Sequence, residues 1–165
     1  MGVVRTAFEG MKLKTVIVYC SHKGNTRMVA EAIGEALRPL GEVDVVAVET
    51  AAATIGPDVD LLMVGGPTEA HGMTPEVRDF LDRLDAESVK GRAAAAFDTR
   101  VDWPRILSGS AADGIATRLA GKGAFVIGPQ GSFLVTKEPE LQPGEAERAG
   151  AWAVKLASVV QPARV

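Results

Sequence analysis

Residues 15–26 read TVIVYCSHKGNT. The first five are apolar, aromatic or β-branched, the composition of a strand covered on both faces. The run then breaks into Ser21-His22-Lys23-Gly24-Asn25-Thr26, and Val29, Ile33, Ala36 and Leu37 follow at helical spacing. A buried strand therefore delivers a small polar turn to a helix N-terminus. Free backbone N–H groups and the positive end of the helix dipole meet there, which suits a phosphate.

Working outward, extended and helical patterns alternate to the end of the chain. The first helix is expected to stop near Pro39-Leu40-Gly41, and residues 43–48 read as a second strand. A third strand over residues 61–64 runs into Gly65-Gly66-Pro67. Thr74 and Pro75 supply an N-cap and a first-turn proline to a helix with Val77, Phe80, Leu81 and Leu84 on one face. Residues 92–97 read as a fourth strand by their position between helices, since four alanines give no strand propensity. Ser110 is placed to cap a helix that turns Ala112, Ile115, Ala116 and Leu119 inward and closes at Gly121. Residues 124–127 form the fifth strand, and residues 128–144, rich in Pro and Gly, read as a loop with a short extended piece at 133–135. The last helix spans about 145–159 and buries Ala149, Trp152, Ala153 and Leu156.

Strands alternating with helices, joined by right-handed crossovers, predict an α/β three-layer sandwich around a five-stranded parallel sheet. Ligands in such sheets sit beyond the carboxyl ends of the strands. The loops at 21–26, 66–74 and 98–104 are thus expected to meet at one edge.

The chain has 165 residues, enough for one domain, expected over residues 13–160 between a leader (1–12) and a short tail (161–165). Charged residues make up 24% and hydrophobic residues 47%, and the net charge is −3. That balance argues against nucleic acid or an anionic membrane as partner. One cysteine, Cys20, excludes an internal disulfide and points to a cytoplasmic protein. No apolar run reaches the length of a membrane span. Gly2 and Thr6 fit the loose pattern for N-myristoylation, but one short pattern carries little information.

Spacing removes most phosphate-binding alternatives. A Walker loop ends Gly-Lys-Ser/Thr, whereas Lys23 precedes Gly24 here. A Rossmann turn requires three glycines, and this turn has one. A receiver domain needs acidic residues where Tyr19-Cys20 and Val64-Gly65 stand. A tyrosine-phosphatase loop would use Cys20 but needs an arginine at position 26, and Arg27 is rotated by about 100° from there. Cys20 then reads as a small buried thiol.

Ser21-His22-Lys23-Gly24-Asn25-Thr26 closely resembles the phosphate loop of flavodoxins, [ST]-x-T-G-N-T, departing at Lys23. Residues 60–79, DLLMVGGPTEAHGMTPEVRD, look like that family's third strand and second flavin loop. With the strand succession, the resemblance covers residues 14–158 and implies the flavodoxin strand order 2-1-3-4-5.

The resemblance implies one non-covalent flavin mononucleotide (FMN). The hydroxyls of Ser21 and Thr26 and the amides of His22, Lys23, Gly24 and Asn25 would cradle its phosphate. Lys23 either adds affinity or points to water. Pro67, Thr68, Glu69, Ala70, His71 and Gly72 would line one flank of the ring, and Asp98, Thr99 and Arg100 would offer N–H groups to its pyrimidine end. Among two Trp, one Tyr and five Phe, only Trp103 falls in these loops. It reads as a flavin contact or as a plug beside Pro104. His71 reads as a flavin neighbour or as an exposed loop residue. Gly72, or alternatively Gly66, suits the redox-linked peptide flip of flavodoxins. Glu69, Asp98 and Asp102 would oppose negative charge on the ring, while Arg100 would favour it; alternatively Asp98 caps a turn and Asp102 pairs with Arg100 or Arg105.

The implied function is electron transfer to a redox partner protein or a small-molecule acceptor, with no catalytic side chain and no metal. An FMN-dependent NAD(P)H:quinone-type reductase is the second reading. A flavodoxin-fold binding or regulatory module without FMN is the third. Oligomeric state is not encoded in any of these features.

Overall fold

The computed structural model describes residues 12–160. The leader up to Met11, with the myristoylation pattern at Gly2 and Thr6, and the tail at 161–165 lie outside the described residues. The chain alternates as expected: β1 (Leu13–Tyr19), α1 (Asn25–Leu37), a 3-10 turn (Arg38–Leu40), β2 (Gly41–Ala47) and β3 (Leu61–Pro67). Then come α2 (Pro75–Arg83), α3 (Ala86–Val89), β4 (Ala93–Val101), α4 (Arg105–Ser108) and α5 (Ala111–Gly121). β5 (Phe125–Val126), β6 (Gly131–Val135) and α6 (Glu145–Ala157) complete it.

The sheet runs β2-β1-β3-β4-β5, with β6 also on β4, and every pair is parallel. This is the flavodoxin-like α/β sandwich. Its physical basis is visible in alternate residues of the central strands. Val18, Leu62, Val64, Ala94 and Ala96 enter one core with Val77, Phe80 and Leu81 of α2 and Ile115 and Leu119 of α5. Ile17, Leu61, Met63, Ala95 and Phe97 enter the other with Val29 and Ile33 of α1 and Ala149, Ala153 and Leu156 of α6. Covering both faces explains the unbroken apolar runs. It also explains the strand-forming alanines: burial and ladder bonds outweigh a weak intrinsic preference.

Two expectations shift at the last edge. The fifth strand is interrupted: β5 pairs only with Ala93 and Ala94, whereas β6 pairs along Phe97 to Val101. The segment read mainly as a loop thus supplies a strand, and β4 runs on through Val101 because β6 is there to accept and donate. Helix α6 is anchored to this strand, since Leu134 N–H donates to the Glu145 carboxylate at 2.7 Å. Arg148 beside Glu145 holds that carboxyl below its ordinary range. Trp152, expected inside, is half-buried. Its Nε1–H donates to Pro129 O at 2.9 Å while its ring meets Phe97 and Phe133 edge-on. An indole donor requires such a partner.

Gly65 sits opposite Phe97 across the β3–β4 ladder, and a Cβ there would lie 2.2 Å from the ring. Gly65→Ala is therefore expected to destabilise the fold by about 1–3 kcal/mol through overpacking, measured by urea unfolding. Unchanged stability would show that the ring does not cover this glycine.

Candidate functional site

β1 ends at Tyr19, and the Cys20 amide still donates to Gly65 O at 3.0 Å. Beyond that bond the backbone leaves the sheet. Gly24 takes φ +90° and caps α1 without a side-chain bond, a conformation costly for any residue with a Cβ. The Gly24 amide donates to Ser21 Oγ at 3.0 Å. The amides of His22, Lys23, Asn25 and Thr26 have no acceptor among the described residues. Four open donors surround one left-handed turn at the positive end of a helix. Such a concavity is built for an anion.

Ser21, His22, Lys23, Asn25 and Thr26 line a cleft of about 200 Å³. Pro67, Thr68 and Glu69 form a second wall, and Thr99 and Arg100 a third. Val101, Val135 and Pro139 complete it, residues that the sequence reading did not assign to the site. Val135 belongs to β6, and Pro139 accepts from Asn25 Nδ2 at 3.0 Å. The short extended pattern at 133–135 is a signal for Val135; Val101 and Pro139 carry none. Thr26 and Thr99 hydroxyls pair at 2.8 Å, so one of the two retains a proton to offer elsewhere.

The second loop is tighter than expected. Glu69 and Gly72 exchange backbone hydrogen bonds at 2.9 and 3.0 Å, which places Ala70 and His71 at the centre of a two-residue turn. Both have positive φ, +49° and +69°, as the turn type demands. Non-glycine residues there cost on the order of 1 kcal/mol each. Ala70 and His71 thus carry the left-handed backbone of this turn, and the N–H and C=O of Gly72 close the hairpin. His71 is exposed, and neither it nor Ala70 nor Gly72 lines the cleft. Gly109 lies so close that a Cβ on it would be 2.1 Å from His71 O, so the backbone before α5 touches the turn.

The third loop is displaced. Asp98, Thr99 and Arg100 are paired with β3 or β6 and belong to β4, so their backbones serve the sheet. The loop starts after Val101. The Asp98 side chain is fully buried, accepting from Ser110 Oγ and Ala112 N at 3.0 Å and from Ser132 Oγ at 2.6 Å. It fastens the start of α5 and β6 to β4. Arg100 Nε donates to Ser132 Oγ at 2.7 Å, and its Nη1 donates to Trp103 O at 2.9 Å. Trp103 is 51% exposed and does not line the cleft. Asp102 is exposed as well.

His22 is the most heavily engaged side chain of the phosphate-loop segment. Its Nδ1 lies 2.8 Å from Glu69 and its Nε2 2.7 Å from Glu76. The two carboxylates raise its pKa above the ordinary 6.5, with Glu76 the larger influence. The Glu76 carboxyl is held low by its own amide in the first turn of α2 and then by His22. Burial pushes the Cys20 thiol up, against a hydrogen bond from Thr74.

The model of the flavodoxin domain matches residues 16–100, just over half of the sequence. The chain belongs to the flavodoxin-domain family. No curated protein matches this member of the family. Among solved structures, it is similar to a flavodoxin from the domain Archaea at 23% identity and a TM-score of 0.75, covering 88% of this chain and 97% of that one. Flavodoxin 1 from Bacillus cereus is similar at 23% identity and a TM-score of 0.74, over 88% and 98%. The flavodiiron protein from Giardia intestinalis matches 96% of this chain with 40% of its own, at 20% identity and a TM-score of 0.69. These likenesses are of fold. Among the described residues, no helix of this flavodoxin-domain chain is long and apolar enough to cross a membrane.

Protonated His22 stabilises the folded chain fully at pH values below 6.5, and that contribution is lost as pH rises through its raised folded value. Glu76→Gln should return the His22 pKa toward 6.5, followed by NMR of the imidazole protons against pH. An unmoved titration would mean that Glu76 does not hold the ring.

Proposed function

We propose that this chain binds FMN through the turn at residues 21–26 and serves in electron transfer. The observation that carries the reading is the set of four unsatisfied amides around Gly24, opening into the cleft. The amides of His22, Lys23, Asn25 and Thr26 hold the phosphate, and the Thr26–Thr99 hydroxyl pair adds a neutral donor. Arg100 and Lys23 both line the cleft and contribute positive charge to its walls. Thr68 and Glu69 bound the opening on the side of the second loop. When bound, the flavin supplies the redox chemistry, and the protein orients it and excludes water.

Trp103, in the loop after β4, and Ile106 and Leu107, in the following α4, are 51%, 92% and 57% exposed. Apolar side chains at that edge suit docking of a redox partner. The same edge favours a second reading, an apolar small-molecule acceptor reduced at the expense of a nicotinamide; steady NAD(P)H oxidation by purified protein would select it. The lone buried thiol suits a cytoplasmic setting.

The phosphate is what the site recognises, so FMN should bind more tightly than riboflavin. Ser21→Asp keeps an acceptor for the Gly24 amide but sets a negative charge in the cradle. It should weaken FMN binding at least about tenfold and leave riboflavin binding nearly unchanged. Fluorescence titration of flavin-free protein reads both. Equal affinity for the two flavins would place the phosphate elsewhere, and failure to bind either would favour a flavin-free binding module.

A further inference from the structure

We propose that Cys20, His22 and Glu76 form a site for one divalent cation of the zinc class. The three residues come from the end of β1, the following turn and the first turn of α2, far apart in sequence. Their ligand atoms all lie within 4.8 Å of one another. Cys20 Sγ is 3.6 Å from His22 Nε2, and that nitrogen is 2.7 Å from Glu76 Oε2. Zinc bonds of about 2.3 Å to sulfur and about 2.1 Å to nitrogen set a tetrahedral S···N edge of about 3.6 Å. The first edge is therefore already at coordination length. The second opens by a small swing of the exposed Glu76 side chain.

Two further contacts make this more than a chance meeting of ligand types. Glu69 Oε2 lies 2.8 Å from His22 Nδ1, the ring nitrogen that a cation on Nε2 leaves free. A carboxylate there fixes the tautomer that presents Nε2 as the ligand and makes the imidazole more basic. Thr74 Oγ1 donates to Cys20 Sγ at 3.4 Å, a contact that steadies a thiolate. Each of two ligands thus has an outer partner.

Sulfur, nitrogen and a single carboxylate oxygen are a donor set for zinc rather than for calcium or magnesium, which prefer all-oxygen shells. Cys20 is the buried floor, and His22 and Glu76 leave the outer side open to solvent, through which the ion enters. A water from that side fills the fourth position. Binding expels the thiol proton, and any proton on Nε2, to solvent. The cation and the two anionic ligands then sum to zero charge. The site does not depend on flavin, because none of its contacts involves the open amides.

Cobalt(II), a spectroscopic substitute for zinc, tests the site in the full chain after chelator treatment and removal of the chelator. One equivalent should bind and give a thiolate-to-cobalt charge-transfer band with intense long-wavelength bands of a tetrahedral ion, and zinc should bleach both. Cys20→Ser should abolish the charge-transfer band. Glu76→Gln, an exposed change that leaves the core intact, should weaken cobalt binding at least about tenfold, with circular dichroism confirming the fold. Absence of the thiolate band in the wild type, or Glu76→Gln binding with unchanged affinity, would overturn the proposal. Flavin titration of the same preparations separates this result from that of the FMN reading.

Discussion

Each inner strand has a neighbour on both sides, so its backbone donors are consumed in ladder bonds and have nothing left for a ligand. This constraint decides where chemistry can happen. Donors become free only where the chain steps off the carboxyl edge and before a helix has begun to bond with itself. The turn between β1 and α1 meets both conditions, and a left-handed glycine caps the helix there without a side-chain bond. The cleft and the open donors follow from that one topological necessity.

The same economy explains why the last edge of the sheet is arranged as it is. A strand such as β4 can extend only as far as a neighbour accompanies it, and β6 accompanies it to Val101. Asp98, fully buried between these elements, has both side-chain oxygens engaged, by Ser110 and Ala112 on one and Ser132 on the other. A buried carboxylate without those donors would be strongly unfavourable. Its position near the end of a central strand therefore reflects the anchoring of α5 and β6.

His22 links three parts of the molecule that the chain visits separately. It is carried by the turn between β1 and α1, and its two nitrogens reach the second loop and α2. The turn is thereby held from outside as well as by the Gly24–Ser21 bond within. Surface ion pairs are individually weak. A ring fixed at both nitrogens nevertheless loses the freedom to rotate, and the orientation of the adjoining amides benefits.

Much of the fold was legible in the residues alone. The apolar runs of β1 and β3, the Thr74-Pro75 cap, the Ser110 cap and the glycine-containing turn before α1 are local patterns whose physics acts within a few residues, and each is present in the structure. Order in the sheet followed from the resemblance to flavodoxins. What sequence could not fix was everything set by contacts between distant segments: the extension of β4 by β6, the role of Asp98, the contact of Gly109 with His71 and the gathering of Cys20, His22, Glu69 and Glu76. Ser132 and Pro139 carry no pattern of their own, and their significance arises only because folding places them against Asp98 and Asn25. Local periodicity encodes an element and its buried face; which side chains share a hydrogen bond across the edge of a sheet is decided when the layers pack.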